Sequence, residues 1–446
     1  MRRLSRLFAL VGPVVVVLGL SKVHARYIAH PAYSFHGSFR FAWAIGYIVV
    51  LCVTTYGLGL PEVPRTTRQA LTSSVLASLI GALAVSSVQL LAGDALLPRF
   101  VVLGSALVLL PYQFGLTLVA RSGIERDAGR DQVFLVAAPS EAVRLTDDLR
   151  VAPQRNAVLV AALQPREARG DGETSWPLVD QVKASGATVI VIDRLAQADD
   201  RVINQAAELH EAGIRVRTLL QFYEDWLGKL PLSELERASL FFDIGELHRA
   251  RYSRLKRLLD VVLSLVGLVV LALAVPFVLL GDLVGNRGPL LYRQARVGKG
   301  GTTFEILKFR TMRPTASGEP VDEWTQRDDP RVTPFGKFMR STHLDELPQV
   351  INILRGDLAT VGPRPEQPRY VAELSDKLPF YGLRHLVRPG LTGWAQVMYG
   401  YAGDHADALE KLQYEFFYLQ RQSLAFDGRI LLRTIRSVAG GEGKGR

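Results

Sequence analysis

Cysteine is nearly absent from this sequence: Cys52, inside an apolar run, is the single one in 446 residues. With no second thiol there is no internal disulfide, which excludes a disulfide-stapled scaffold and is consistent with soluble parts in a reducing compartment. A gathered basic face is also missing. Lys and Arg number 53 against 43 Asp and Glu, a net charge of +10, yet the cations are spread between apolar stretches, which argues against nucleic acid as partner. The charge instead fits basic loops beside anionic lipid head groups, or a phosphate-rich ligand. Internal repeats and long low-complexity tracts are missing too; the Gly-rich tail "GGEGKGR" is expected to fray.

What the chain does have is apolar length. At 48% hydrophobic residues and mean hydropathy +0.15, it is too long for one ordinary domain and too greasy for a wholly soluble protein. Four apolar segments crowd the start, at 7–20, 41–60, 70–92 and 100–120. The last three have the roughly 20 residues a helix needs to cross the hydrocarbon core. The first is shorter and follows "MRRLSR", so a cleavable signal peptide and an uncleaved first span are both open; the closely spaced spans after it favour the second. Either way, residues 121–257 are expected on the cytoplasmic side. Lys22, Arg26 and Arg40 fall in the outside loop of this topology, so the positive-inside rule lends it little weight.

From 131 to about 225, the short runs "VFLVAA", "AVLVAAL", "TVIVI" and "IRVRTL" alternate with polar, helix-compatible stretches, the pattern of a small parallel α/β domain. A dinucleotide site needs glycines at the first strand-to-helix turn. Here that turn reads "VAAPSEA", which favours a structural or regulatory module over nucleotide binding. A fifth apolar run, Val261 to Leu280, follows the basic residues Arg249, Arg251, Arg254, Lys256 and Arg257. A straight crossing would put residues 286–446 outside. Pro276 removes a helical hydrogen bond and can bend the helix, so a run that enters the inner leaflet and returns keeps both soluble parts inside.

The chemistry is expected in the last third. In "TTFEILKFRTM", strand alternation puts Phe304, Ile306, Lys308 and Arg310 on one face, and two cations on one face can clamp a diphosphate. Arg331, Arg340, Arg355, Arg364 and Arg388 lie near turns or prolines, and arginine's planar fork suits phosphate oxygens. The stretch "LDELPQVINILRGDLATVGPRPE" carries adjacent carboxylates, Asp345 and Glu346. Thr342 three residues ahead of Asp345 reads as a helix start with Asp345 as a cap. Alternatively the pair divides two tasks, one carboxylate attacking a phosphate and the other holding Mg²⁺, with arginines offsetting the negative charge.

"KFRTM", "LDELPQVINILRGDLATVGPRPE" and "RHLVRPGLTGWAQV" together resemble the signature blocks of the bacterial sugar transferase family, the polyprenyl-phosphate sugar-1-phosphate transferases. The resemblance runs from about 256 to about 434, and the arrangement ahead of it is similar to the large, WbaP-like monotopic members. It implies a membrane protein of mixed class. Residues 1–122 would form a four-helix transmembrane region and 123–245 a Rossmann-like α/β domain. An α+β catalytic domain would fill 246–446, with a re-entrant membrane helix at about 258–284 broken at Pro276.

It further implies transfer of a hexose 1-phosphate from a UDP-sugar to polyprenyl (undecaprenyl) phosphate, releasing UMP, as the first membrane step of exopolysaccharide or O-antigen synthesis. By resemblance Asp345 is the nucleophile, and Glu346 binds Mg²⁺ with Asp345 beside it. Lys308, Arg310, Arg340, Arg364 and Arg388 hold substrate phosphates, and the catalytic domain faces the cytoplasm at the bacterial inner membrane. A homodimer is a candidate assembly. The sequence departs from the family at His343, in "GDLATVGPRP" and at "AFDG" near Asp427; Asp357 could join the metal or stabilise its turn. Rival readings are a membrane scaffold or regulator without enzymatic activity, and a polytopic transferase or CDP-alcohol phosphotransferase. The last requires further spans after residue 290 that the sequence lacks.

Overall fold

The computed structural model describes residues 2–61, 67–92, 96–124, 131–150, 157–171, 175–231, 249–285, 288–313, 331–378, 380–399 and 405–440. The chain forms two compact units, one of residues 1–127 with 425–444, the other essentially 128–424.

The first unit contains helices α1 (Arg2–Val23), α2 (Phe39–Gly57), α3 (Thr67–Ala92) and α4 (Arg99–Ile124), each long and apolar enough to cross a membrane. They meet through small residues, Ala44, Ala70, Ser74 and Ala77 among them, which let helix backbones approach where lipid offers no hydrophobic drive. Two hydrogen bonds cross between helices in its interior: the Tyr47 hydroxyl donates to the Val102 carbonyl at 3.3 Å and the Gln113 amide to Thr55 Oγ1 at 2.9 Å. The carboxy-terminal helix α12 (Leu424–Gly440) belongs mostly to this unit. Its Leu432 lies against Gly57, Leu58 and Ala77, and Arg436 donates to the Leu58 carbonyl at 3.2 Å.

The second unit begins with the expected parallel sheet: β1 (Asp131–Val136), β2 (Ala157–Leu163), β3 (Val189–Ile192) and β4 (Arg215–Thr218), in order β2-β1-β3-β4. Helices α5 (Pro139–Arg150), α6 (Pro177–Ser185) and α7 (Asp200–Glu211) accompany it. Apolar clusters cover both of its faces, so the strand runs are continuous rather than alternating. In open sheets ligands enter where the strand order reverses, here between β1 and β3. Asp193 fills that place, its carboxylate accepting from the backbone N–H groups of Ala138 at 3.2 Å and Ala196 at 2.7 Å. An internal carboxylate thus takes the backbone donors that a pyrophosphate would use, which agrees with the missing glycines of "VAAPSEA" and favours a structural module.

The sheet domain is bolted to the carboxy-terminal part of this unit. Lys229, almost fully buried, donates to Asp148 at 2.7 Å and to Glu410 at 2.5 Å, and the Trp394 indole donates to the Gly228 carbonyl at 2.7 Å.

Helix α8 (Arg249–Gly285) follows. It stays helical through Pro276, so the helix is not interrupted there; a proline deletes one backbone bond, flanking turns can carry the helix past it, and a bend at such a site falls within one continuous helix. One stripe, Leu258, Val262, Leu265, Val269, Leu273 and Leu280, is exposed, while Leu268, Leu271, Val275 and Val278 pack on the part of the unit that follows. That part comprises the hairpin β5 (Leu291–Val297) and β6 (Thr303–Phe309), helices α9 (Pro334–Ser341) and α10 (Gln349–Arg355), the parallel pair β7 (Ala359–Val361) and β8 (Gly390–Thr392), and helix α11 (His405–Gln420).

Candidate active site

Helix α9 opens with the Thr333 hydroxyl accepting from Gly336 N at 2.9 Å, a cap that also fixes Pro334 in the first turn. It ends at Thr342, whose hydroxyl donates back to the Phe338 carbonyl at 3.0 Å. Thr342 therefore closes a helix instead of starting one, and Asp345 is no cap for it. The chain then turns at His343, in the left-handed region at φ +55°, where histidine is better tolerated than most residues. A single 3₁₀ turn, Leu344–Glu346, precedes α10. With three residues per turn, neighbouring side chains there diverge by about 120°. Asp345 points inward and is 8% exposed, while Glu346 points to two cations.

Lys308 in β6 donates to Glu346 Oε1 at 2.8 Å, and Arg364 donates to the same oxygen at 3.0 Å. Burial alone would raise the Glu346 pKa, but Lys308 and Arg364 outweigh it and hold the carboxyl well below the usual range. Asp345 differs. Burial pushes its pKa up, Lys308 lowers it, Glu346 raises it, and Arg340 and His343 lower it, with a net rise. The two carboxylates are thereby separated, one locked as an anion and the other buried and more basic, a pattern that marks candidate chemistry. Arg340 stands in the last turn of α9 and donates from Nε to Thr311 Oγ1 at 2.9 Å.

The other predicted residues have different contacts. Arg310 shares Lys308's strand alternation, but its guanidinium donates to the carbonyls of Pro289 at 2.7 Å and Met312 at 3.2 Å. Those contacts tie it to the lead into β5. Arg388 is partly exposed and makes no side-chain hydrogen bond or ion pair with a described residue. Arg355 is exposed at the end of α10. Asp357 accepts from the Asn352 amide at 3.3 Å, a turn contact.

Two of the sequence blocks are one structural object. Gly362 N donates to the Thr392 carbonyl at 2.9 Å and Gly390 N to the Pro363 carbonyl at 2.8 Å. A Cβ on Gly362, Gly390 or Gly393 would overlap backbone of the other segment, so glycine is required for this approach. Behind it, Arg384 and Glu415, both about 4% exposed, pair through two bonds of 2.8 and 2.6 Å. Arg384 also donates to the Arg364 carbonyl at 2.8 Å, which anchors the Pro-Arg-Pro turn. Sequence reasoning missed this pair, since a lone Glu on a helix and an Arg in "LRHLV" reveal nothing of their meeting. Beside the turn lies a small pocket of about 20 Å³, open to solvent, with Arg364, Glu366, Trp394, Gln396, Lys411 and Tyr418 among its lining residues.

Residues 251–441 match the family model described as bacterial sugar transferase. The UDP-N-acetylgalactosamine-undecaprenyl-phosphate N-acetylgalactosaminephosphotransferase of Aeromonas hydrophila is 36% identical over 257 residues, covering 56% of this chain and 58% of that protein. The UDP-glucose:undecaprenyl-phosphate glucose-1-phosphate transferase of Caulobacter vibrioides is 41% identical over 199 residues, 44% of this chain and 73% of that protein. The exopolysaccharide production protein PSS of Rhizobium leguminosarum is 37% identical over 188 residues, 41% of this chain and 94% of that protein. The shared part is the one that carries the acidic pair, its cations and the two glycine-locked blocks, and this chain belongs to the bacterial sugar transferase family.

Proposed function

We propose that the protein transfers a hexose 1-phosphate from a UDP-sugar to polyprenyl (undecaprenyl) phosphate and releases UMP, as the first membrane step of exopolysaccharide or O-antigen synthesis. The observation that carries this reading is the division of labour in the acidic pair: Asp345 buried with a raised pKa, Glu346 neutralised by Lys308 and Arg364. A desolvated carboxylate is a stronger nucleophile than a hydrated one, and neighbouring cations remove the repulsion between it and a phosphate. Asp345 attacks the β-phosphorus, the bond to the bridging oxygen breaks, and that oxygen leaves on UMP. Polyprenyl phosphate then attacks the phosphorus of the aspartyl intermediate and frees Asp345. Lys308 and Arg364, already oriented by Glu346, lose little side-chain entropy when a diphosphate arrives; Arg340 completes the set.

Mg²⁺ fits this donor set. Glu346 is kept ionised, and a magnesium site commonly takes one or two carboxylates with substrate phosphates and water. Glu346, with Asp345 beside it, would hold the ion, which would supply charge neutralisation on the diphosphate.

The re-entrant reading of α8 has two supports. Gly267 and Gly281, on either side of Pro276, lie against Val350 and Phe335 of the same catalytic part. Helix α12 packs at the end of α2, and α2 and α4 end on one side because two spans separate their ends. A single crossing by α8 would send α12 to the other side. The catalytic part then faces the cytoplasm at the inner membrane, and a reporter fused after residue 446 is expected to be active only in the cytoplasm; activity outside alone would overturn the re-entrant reading.

The deciding assay is nucleotide release by the purified protein in detergent with Mg²⁺, polyprenyl phosphate and a panel of UDP-sugars. UMP is expected; UDP would mean ordinary glycosyl transfer, and no release from any donor would reject the reading.

A further inference from the structure

Two lines of contact lead from the sheet domain to Arg364, and both start at the short segment Gly228-Lys229-Leu230. The first runs through helix α11. Lys229, 1% exposed, holds Asp148 of α5 and Glu410 of α11 with one ammonium, at 2.7 and 2.5 Å. Leu230 N donates to the Gln413 carbonyl at 3.1 Å. One turn further along α11, Glu415 grips Arg384, which donates to the Arg364 carbonyl at 2.8 Å, and the Tyr418 hydroxyl donates to the Val361 carbonyl at 3.3 Å. The helix held by the sheet domain at 410 and 413 thus holds the Pro-Arg-Pro turn at 415 and 418. The second line is shorter. The Gly228 carbonyl accepts from the Trp394 indole at 2.7 Å, and the residue before Trp394, Gly393, packs so closely on Gly362 that a Cβ there would lie 2.2 Å from the Gly362 carbonyl oxygen. Arg364 is two residues on, and its guanidinium donates to Glu346 at 3.0 Å.

Holding two domains together needs only buried area, which Leu230 supplies beside Tyr381, Leu412 and Phe416. A buried ammonium between two carboxylates adds position, because desolvated ions are tolerated only in good geometry. Asp148 is held in place from its own side by the Tyr223 hydroxyl at 2.8 Å. Without the cation, Asp148 and Glu410 would meet as like charges, and α11 would shift with Glu415 on it. Rigid helices and buried hydrogen bonds are the elements through which such a shift travels.

We infer that Lys229 is a positioning residue for the transfer reaction, and that the sheet domain serves to hold Arg364 in register with the acidic pair. The catalytic half of this inference rests on the phosphosugar-transfer reading above. Lys229 touches no reacting group; it acts through α11 and Arg384 on the cation that meets Glu346. With its own crevice filled by Asp193, the sheet domain contributes mechanically rather than by binding a nucleotide.

The test uses full-length protein in detergent with Mg²⁺ and UDP-sugar, and follows the single-turnover burst of UMP. Lys229→Met is expected to slow loading about 10-fold, within the range of coupling between contacting residues. That variant leaves two buried carboxylates unpaired and risks misfolding, so Lys229→Met with Glu410→Gln, which removes the repulsion, is measured beside it and is expected to load as slowly. In an Arg364→Lys background the same two changes are expected to slow loading by less than about twofold, because the fork they position is already gone. An equal loss in both backgrounds would overturn the inference and leave Lys229 as a fastening between domains, as would wild-type loading by the folded double variant. Hydrogen exchange gives a readout independent of turnover. The amides of Gly362 and Gly390, bonded to the Thr392 and Pro363 carbonyls, are expected to exchange faster in the double variant, and unchanged protection there would also overturn the inference. Wild-type protein that releases no UMP would sink the transfer reading, while the exchange rates would still decide whether Lys229 holds the turn.

Discussion

Asp345→Asn is expected to stop UMP release, with a loss on the order of 10⁴-fold or more, as for removal of a covalent nucleophile, while the protein stays folded. The stability half follows from the sign of the pKa shift. Burial raises the folded-state pKa of Asp345 above its ordinary 3.8, so the ionised form costs stability at every pH above that folded value. Asparagine has nearly the same shape and no charge, so near neutral pH the variant is expected to melt at or above the wild-type temperature. The same shift sets the acid side of the rate profile. Only the carboxylate attacks, so loading in the wild type falls as pH drops through the raised value, earlier than for a free aspartate. Rapid-quench loading across pH, with melting curves in the same detergent, checks both halves. Substantial turnover by a folded Asp345→Asn protein would refute the covalent mechanism.

Glu415→Ala is expected to be the most destabilising single change in the catalytic part, by about 3–5 kcal/mol, because it leaves a buried guanidinium without its carboxylate. Arg384 is held by both oxygens of Glu415 and also donates to the Tyr381 hydroxyl at 2.8 Å. The paired replacement Arg384→Met with Glu415→Leu is expected to regain much of that loss, since apolar side chains of similar volume can replace a buried ion pair. Turnover is expected to stay low in the pair, because Arg384 also fixes the Arg364 carbonyl and thereby the cation that bridges acidic pair and pocket. Chemical denaturation of the three variants gives the first quantity and UMP release the second; full activity in the paired variant would show that Arg384 serves packing alone.

The residues differ in how legible they were, for a physical reason. The five apolar segments could be read because a bilayer sets a length and composition that few other environments demand, and all five are helices of that kind. The parallel strands could be read because a sheet covered on both faces needs continuous β-branched runs. The cations split along a different line. Lys308 and Arg364 meet Glu346, whereas Arg310 shares the sequence alternation and is claimed by nearby carbonyls. Alternation fixes which face a side chain leaves from but says nothing of which acceptor is nearest. Thr342 misled for a similar reason: its hydroxyl can cap the helix behind it as well as one ahead, and only the turn at His343 decides between them.

By itself the sequence determined that this is a membrane-bound chain with a small parallel α/β domain, and it located the acidic pair and its family. Those properties rest on local composition, periodicity and short contiguous motifs. Tertiary structure alone decided that Glu346 is neutralised while Asp345 is buried, that two glycine-bearing blocks close on each other, and that Asp193 fills the crevice of the sheet. Each of these depends on distance between groups far apart in the chain, and charge, burial and steric exclusion act through that distance rather than through sequence order.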